Sequence, residues 1–382
     1  RVGLARYAQA EHEVTWMNEL GTLHDKTERL VALSELLAKM VTALPCHKAV
    51  DLAALRRAAT LAKADLLSKV VREKEYTSLQ GIIGGVYALA AGESQVAAKA
   101  IEEHYLPRNL GDPLPSTSEG RILSFVDKLD NACAAFAIGA GPTGSEDPYA
   151  VRRQVTALLN LVLDSGWRVN LRELIDANLG MMPDSRPELR TQISQFVKDR
   201  LGLLLGDKGM AYDIVNAVID LAWSDPQDAL VRGQALADAR QKSDFERLVI
   251  GQKRVANILK AGSQGQARDT VSSETGAATR AGESVSCQES CVLQPGLLVE
   301  SAEQMLYQGA QALAEPLAQS CGAQDYRQAM ELLLTLRPLI DEFFDQVLVM
   351  CPDQRLSANR LALLRFVSSL FGQVADLSQI VI

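Results

Sequence analysis

Aromatic residues are scarce in this chain. Phe, Trp and Tyr supply 5% of its 382 residues, while Ala and Leu recur throughout, a bias that favours helices over sheets. Long apolar runs are missing as well: none approaches the roughly 20 residues that cross a bilayer, so no membrane span is expected. Cysteines number six. Cys46, Cys133, Cys321 and Cys351 stand alone, and Cys287 and Cys291 form a C-x3-C pair without a second pair or a nearby His. That spacing makes neither a disulfide framework nor a complete zinc site, and a reducing cytoplasm is the expected location. A basic segment followed by an apolar core is absent at the start, so no secretory leader is expected. Arg1 stands where Met would open a complete chain, and we expect a piece of a longer protein. Positive charge is also in deficit. A net charge of −8 argues against blanket binding of nucleic acid, which needs local positive potential. It leaves room for a specific RNA contact through a few placed Arg and Lys side chains.

The chain is long enough for two or three domains. Leu30, Leu33, Leu37 and Val41 share one helical face. Residues 51–73 contain neither Pro nor Gly and read as one long helix. Gly81, Gly84 and Gly85 allow close helix packing or a bend, and another helix is expected over about 118–138. The glycine-rich loop 139–147 ends at Asp147-Pro148, which reads as an N-cap followed by proline in the first turn of a helix reaching about Ser165. Residues 261–296 are rich in Gly, Ser, Thr, Gln and Ala, too poor in large apolar side chains to offset ordering entropy, and are expected to form a mobile insertion. In the last helix Leu356, Leu363, Val367, Leu370, Val374 and Leu377 form one stripe, with Asn359 and Arg360 beside it. The expected class is all-α, with boundaries at 1–138, 139–225 and 226–382.

Eight segments carry a resemblance. They begin with Leu20-Gly-Thr-Leu-His-Asp-Lys-Thr-Glu-Arg29, Ala62-Lys-Ala-Asp-Leu66, Leu79-Gln-Gly-Ile-Ile-Gly84 and Ile101-Glu-Glu-His-Tyr-Leu-Pro107. They continue with Pro142-Thr-Gly-Ser-Glu-Asp-Pro148 before Arg152-Arg153, Lys253-Arg-Val-Ala-Asn-Ile258, Arg337-Pro-Leu-Ile-Asp-Glu-Phe-Phe-Asp345 and Asn359-Arg-Leu-Ala-Leu-Leu364. In this order they resemble the C-terminal part of the β subunit of the bacterial heterotetrameric glycyl-tRNA synthetase. The resemblance implies an HD-like helical domain, a helical connector and a C-terminal helical-bundle anticodon-binding domain. It also implies a role in positioning tRNA(Gly), with glycine activation by ATP and Mg²⁺ on a separate α subunit of an α2β2 assembly. No catalytic residue and no cofactor is then expected in this chain. The absence of a G-x-x-x-x-G-K-[ST] phosphate loop agrees.

Two other readings compete with it. An HD-type phosphohydrolase holds a metal with a His, a His-Asp pair and a distal Asp. By helix order those positions fall near Lys26, Ala62-Lys63 and Asp127, with His104 a further remnant; a cation and a methyl there would fail to hold a metal. A scaffold that touches no RNA is the third reading. His24-Asp25 tempts a local His-Asp assignment, but a role at a helix start accounts for it, with Asp25 and Glu28 in a capping arrangement. The loop before Arg152 and Arg153 can cradle a phosphate or simply form a tight turn. Lys253, Arg254, Asn257, Arg337, Phe344, Asn359 and Arg360 are the groups in the third region that can contact phosphate or unstacked bases. Core packing for Phe343 or Phe344, and an internal pair of Arg360 with Asp341 or Asp345, stand beside that role. Charge reversal at Arg360 or Lys253 is expected to weaken tRNA binding without unfolding.

Overall fold

The computed structural model describes residues 3–42, 49–109, 111–183, 186–271 and 293–382, with 262–271 described by backbone alone. Cys46, Cys287 and Cys291 lie outside the described residues. So does 272–292, most of the expected insertion; α13, introduced below, carries helix on through the start of that segment to Val271. The described residues are all-α apart from one short hairpin, β1 (Thr15–Met17) against β2 (Gly21–Thr22).

The chain divides into two compact units, Arg1–Asp207 with Ala222–Asp228, and Lys208–Leu221 with Ala229–Ile382. The boundary expected near 138 falls inside the first unit. That expected at 225 falls in the Ala222–Asp228 segment that returns to it, where Ser224 accepts a backbone hydrogen bond from Leu171 at 2.7 Å and Arg168 pairs with Asp225.

In the first unit the helices are α1 (Leu4–Gln9), α2 (Leu23–Thr42), α3 (Leu52–Leu61), α4 (Lys69–Arg72), α5 (Ile82–Ala90) and α6 (Gln95–Glu103). They are followed by α7 (Ser118–Ala137), α8 (Val151–Ser165), α9 (Leu171–Gly180) and α10 (Pro187–Asp207). Thr22 and Asp25 begin α2: the Asp25 carboxylate takes the Thr22 amide at 2.6 Å and its hydroxyl at 2.8 Å. The role at a helix start holds, but Asp25's partner is Thr22 rather than Glu28, which pairs instead with His24 at 3.4 Å. Leu30, Leu33, Leu37 and Val41 are all buried, as one apolar face requires.

The long helix expected over 51–73 is broken, because Lys63 and Asp65 turn inward. Asp65 accepts the amides of Gly81 and Gly84 at 2.7 and 3.2 Å, and Ser68 then caps α4 through the Val71 amide. Gly81 sits at φ +81°, and a Cβ on Gly85 would fall 2.8 Å from the Ala98 carbonyl. These glycines therefore let α5 lie directly on α6. The long α7 packs against α2, α6, α8 and α9 and runs through the middle of the unit.

The second unit is built from α11 (Tyr212–Ala222), α12 (Pro226–Ala239), α13 (Phe245–Val271), α14 (Ser301–Gly322), α15 (Tyr326–Leu334), α16 (Arg337–Gln346) and α17 (Gln354–Gly372). Its core joins Leu248 and Val255 of α13, Leu306 and Leu313 of α14, Phe343 of α16, and Leu363, Val367 and Leu370 of α17. Helix α17 ends at Gly372, but Val374 and Leu377 stay buried beyond it. Asp213 holds the chain end by accepting the Val381 amide at 2.8 Å, and Arg232 donates to the Gln373 and Val374 carbonyls.

Candidate functional site

Charges inside an otherwise apolar helix mark the centre of the first unit. On α7, Asp127 and Asp130 are one turn apart between buried Phe125, Val126, Leu129 and Cys133; on α2, Lys26 and Arg29 have the same spacing. Spacing of three residues puts each pair on one helical face, so packing α2 on α7 brings cation to anion. Lys26 Nζ lies 3.0 Å from Asp127 and 2.8 Å from Asp130, and also donates to Asn131 Oδ1 at 2.8 Å. Arg29 Nε donates to Asp130 at 2.6 Å. Lys63, turned inward by the break after α3, donates to the other Asp127 oxygen at 2.8 Å.

His104 completes the cluster. Its Nδ1 lies 2.6 Å from the Ile101 carbonyl and must donate there, so Nε2 is the acceptor for Lys63 Nζ at 2.9 Å. Burial and the neighbouring Lys63 push this imidazole's pKa well below its ordinary value, which keeps it neutral. Burial alone would raise the Asp127 carboxyl, but Lys26 and Lys63 hold it well below the usual carboxylate range.

Three of the four expected HD positions therefore converge: Lys26, Lys63 and Asp127 meet, joined by His104, while Ala62 is simply buried. An ammonium sits on each Asp127 oxygen, where a metal-binding carboxylate would need its lone pairs free. Among the described residues, no group of three His, Cys, Asp or Glu side chains is placed to hold a metal ion. Sequence reasoning missed Asp130, Glu11 and the cation–ring contacts. The signal was there for Asp130, an acid in an apolar run, and absent for Trp16, whose ring lies 4.5 Å from Lys26 Nζ only because the hairpin folds it there.

Arg152 and Arg153 part company. Helix α8 starts at Val151 rather than at Pro148, since Ala150 is left-handed with φ 52° and Asp147 reaches forward to accept the Val151 and Arg152 amides. Arg152 folds back to donate to the Gly144 and Glu146 carbonyls at 2.7 and 3.2 Å, as the tight-turn reading has it. Arg153 is exposed.

In the second unit α13 and α16 run side by side in the same direction. Asp244 meets Arg337, Gly251 meets Ile340, and Arg254 lies over the Phe344 ring at 4.3 Å. Arg254 and Asn257 are exposed, while Lys253 and Phe344 are half-buried. Phe343 is the core member of its pair, fully buried.

Asn359 and Arg360 correct the expectation of direct RNA contact. Both are buried. Asn359 exchanges two hydrogen bonds with the Gln294 backbone, at 2.8 and 3.1 Å. Arg360 pairs with buried Glu303 of α14, rather than Asp341 or Asp345, and donates to the Leu348 carbonyl at 2.8 Å. Both side chains are thus tied to partners inside the fold.

These features define a class: an all-α protein whose first unit is centred on a buried cluster of lysine, arginine and aspartate, and whose second is a helical bundle with Arg254 on an exposed face. Comparison with known proteins narrows it. The family model "Glycyl-tRNA synthetase beta subunit" matches residues 1–220, and "DALR anticodon binding domain" matches 252–380. The glycine–tRNA ligase β subunit of Desulforapulum autotrophicum is 40% identical over 96% of this chain and 50% of its own length. Those of Acidobacterium capsulatum and Citrifermentans bemidjiense are 36% and 35% identical over the whole chain and 51% of theirs. The chain belongs to the glycyl-tRNA synthetase β subunit family and carries a DALR anticodon-binding domain. It spans about half the length of the curated relatives it matches. Among the described residues no helix is long and apolar enough to cross a membrane.

Proposed function

We propose that this chain is the tRNA-binding part of a glycine–tRNA ligase β subunit, working in the cytoplasm. It positions tRNA(Gly) for glycylation by a separate α subunit in an α2β2 assembly, with ATP and Mg²⁺ belonging to that partner. The observation that carries the reading is the order of the two family matches, a β-subunit region followed by an anticodon-binding domain. The exposed Arg254 and Asn257, with Lys253 beside them, supply the cations and the amide that meet phosphates and unstacked bases, and Phe344 supports Arg254 from beneath. Binding energy from these remote contacts holds the 3′ end for chemistry performed elsewhere. A metal-dependent phosphohydrolase fits less well, because Lys26 and Lys63 occupy both Asp127 oxygens.

Footprinting of tRNA(Gly) with the intact two-subunit enzyme tests this. Protection of the anticodon arm that fades when Lys253 and Arg254 are both changed to Glu is the expected result. Complex formation with no protected nucleotide would leave the scaffold reading in its place.

A further inference from the structure

A cavity of about 540 Å³ opens over the buried charge cluster of the first unit, with Lys26, Lys63 and Asp127 at its base. That volume is within the roughly 300–1,000 Å³ of small-ligand sites. Its walls add Arg108, Lys128 and Arg153, so five basic side chains and one acidic one face the same space. In a chain of net charge −8, that concentration is not a sample of the average surface.

The three wall cations differ from those at the base. Lys26 and Lys63 neutralise Asp127 and Asp130. The Arg108 guanidinium donates to the Ser78 and Gln80 carbonyls, at 2.6 and 2.7 Å, while its backbone amide donates to Asp112 at 3.0 Å. Lys128, buried, donates to the Leu106 carbonyl at 2.9 Å and the Ser124 hydroxyl at 2.8 Å. Arg153 reaches only the Asn109 amide oxygen at 3.3 Å. Among the described residues none of the three side chains forms an ion pair with a carboxylate; burial lowers the pKa of Lys128 to about 7, and an anion in the cavity would hold its proton at neutral pH.

A planar group is provided for as well. Tyr149 lines the rim and is 40% exposed, held out beside the left-handed Ala150. Of the rings lining the cavity, Trp16 carries Lys26 on its face at 4.5 Å and Tyr105 carries Lys63 at 4.1 Å, which leaves Tyr149 to stack on a base. Asn131 and Gln154, joined by a 2.8 Å hydrogen bond, line the same cavity, and Gln154 also donates to the Tyr149 carbonyl at 2.9 Å.

We infer that this cavity binds a nucleoside 5′-monophosphate, its phosphate among Arg108, Lys128 and Arg153 and its base against Tyr149. The nucleotide is either free in solution or the 5′-phosphorylated end of an RNA strand. The strand-end source rests on the proposed tRNA reading, whereas binding of a free mononucleotide goes beyond it and stands if that reading fails.

Calorimetric titration of the chain at low salt tests it with AMP, GMP, CMP and UMP, the corresponding nucleosides, inorganic phosphate, and a short RNA with and without a 5′-phosphate. At least one mononucleotide or the phosphorylated RNA should bind at least about tenfold more tightly than its unphosphorylated counterpart, and weaken as salt rises. Mononucleotide binding assigns a free ligand; binding of the phosphorylated RNA alone assigns a strand end. Arg153→Gln and Tyr149→Ala, both at exposed positions, should each weaken it about tenfold with unchanged melting temperature, and Lys128→Met should weaken it further. No binding at millimolar concentration would overturn the inference. So would affinity unmoved by Arg153→Gln and Tyr149→Ala, or inorganic phosphate binding as tightly as the nucleotides.

Discussion

The charged residues of the first unit and those of the second are used in opposite ways. In the first, Lys26, Arg29 and Lys63 are buried against Asp127 and Asp130. In the second, Arg360 and Glu303 repeat that arrangement once, while Arg254 and Asn257 remain in solvent. Residue type alone does not separate the two uses. Arg360, beside an apolar stripe and facing the buried Glu303, is an interior tie; Arg254, exposed on α13, is available to a partner.

Removing a buried charge should have the largest effect. Asp127→Ala takes the carboxylate partner from buried Lys63 and leaves Lys26 to Asp130 alone, and unfolding by urea should show a loss of about 3–5 kcal/mol. Arg360→Met strands Glu303 in the second unit and should cost about 3 kcal/mol. Loss of tRNA binding in that variant would follow from unfolding, which reverses the expectation drawn from the sequence. Equal melting temperatures for Arg360→Met and the wild type would break the comparison.

Glu11 gives a smaller, pH-dependent effect. Burial raises its carboxyl to about 7, with Thr27 donating to one oxygen at 2.7 Å and the other unpaired. The folded state therefore keeps a proton that the unfolded chain releases near its ordinary value of 4.5. Stability should fall as pH rises from that value to about 7 and stay low above it. Glu11→Gln should be more stable than the wild type at pH 8, by about 2 kcal/mol, and equal to it at pH 4. A difference that does not change between these pH values would count against the burial argument. The smallest effect on stability, within about 0.5 kcal/mol, is expected for Arg254→Ala on the exposed face.

Much of this was legible from the sequence. The stripe Leu30, Leu33, Leu37 and Val41 places α2, and the HD-like resemblance puts Lys26, Lys63 and Asp127 at one site. The break after Leu61 was not legible, because it depends on Asp65 finding the amides of Gly81 and Gly84, a contact no local pattern encodes. The start of α8 was misplaced for a related reason: Asp147 followed by Pro148 has the composition of a cap and first turn, yet the carboxylate caps from farther back. Asn359 and Arg360 were seen to lie near a packing surface, but which acid would take Arg360 depended on how α14 lies across α17.

The most direct test is the salt dependence of tRNA(Gly) affinity for the chain and for its Lys253→Glu, Arg254→Glu double variant, with melting temperatures measured alongside. The account expects unchanged melting, an affinity loss of at least tenfold at low salt, and a slope of log affinity against log salt smaller by about two. Identical affinities and slopes for the two proteins would contradict it.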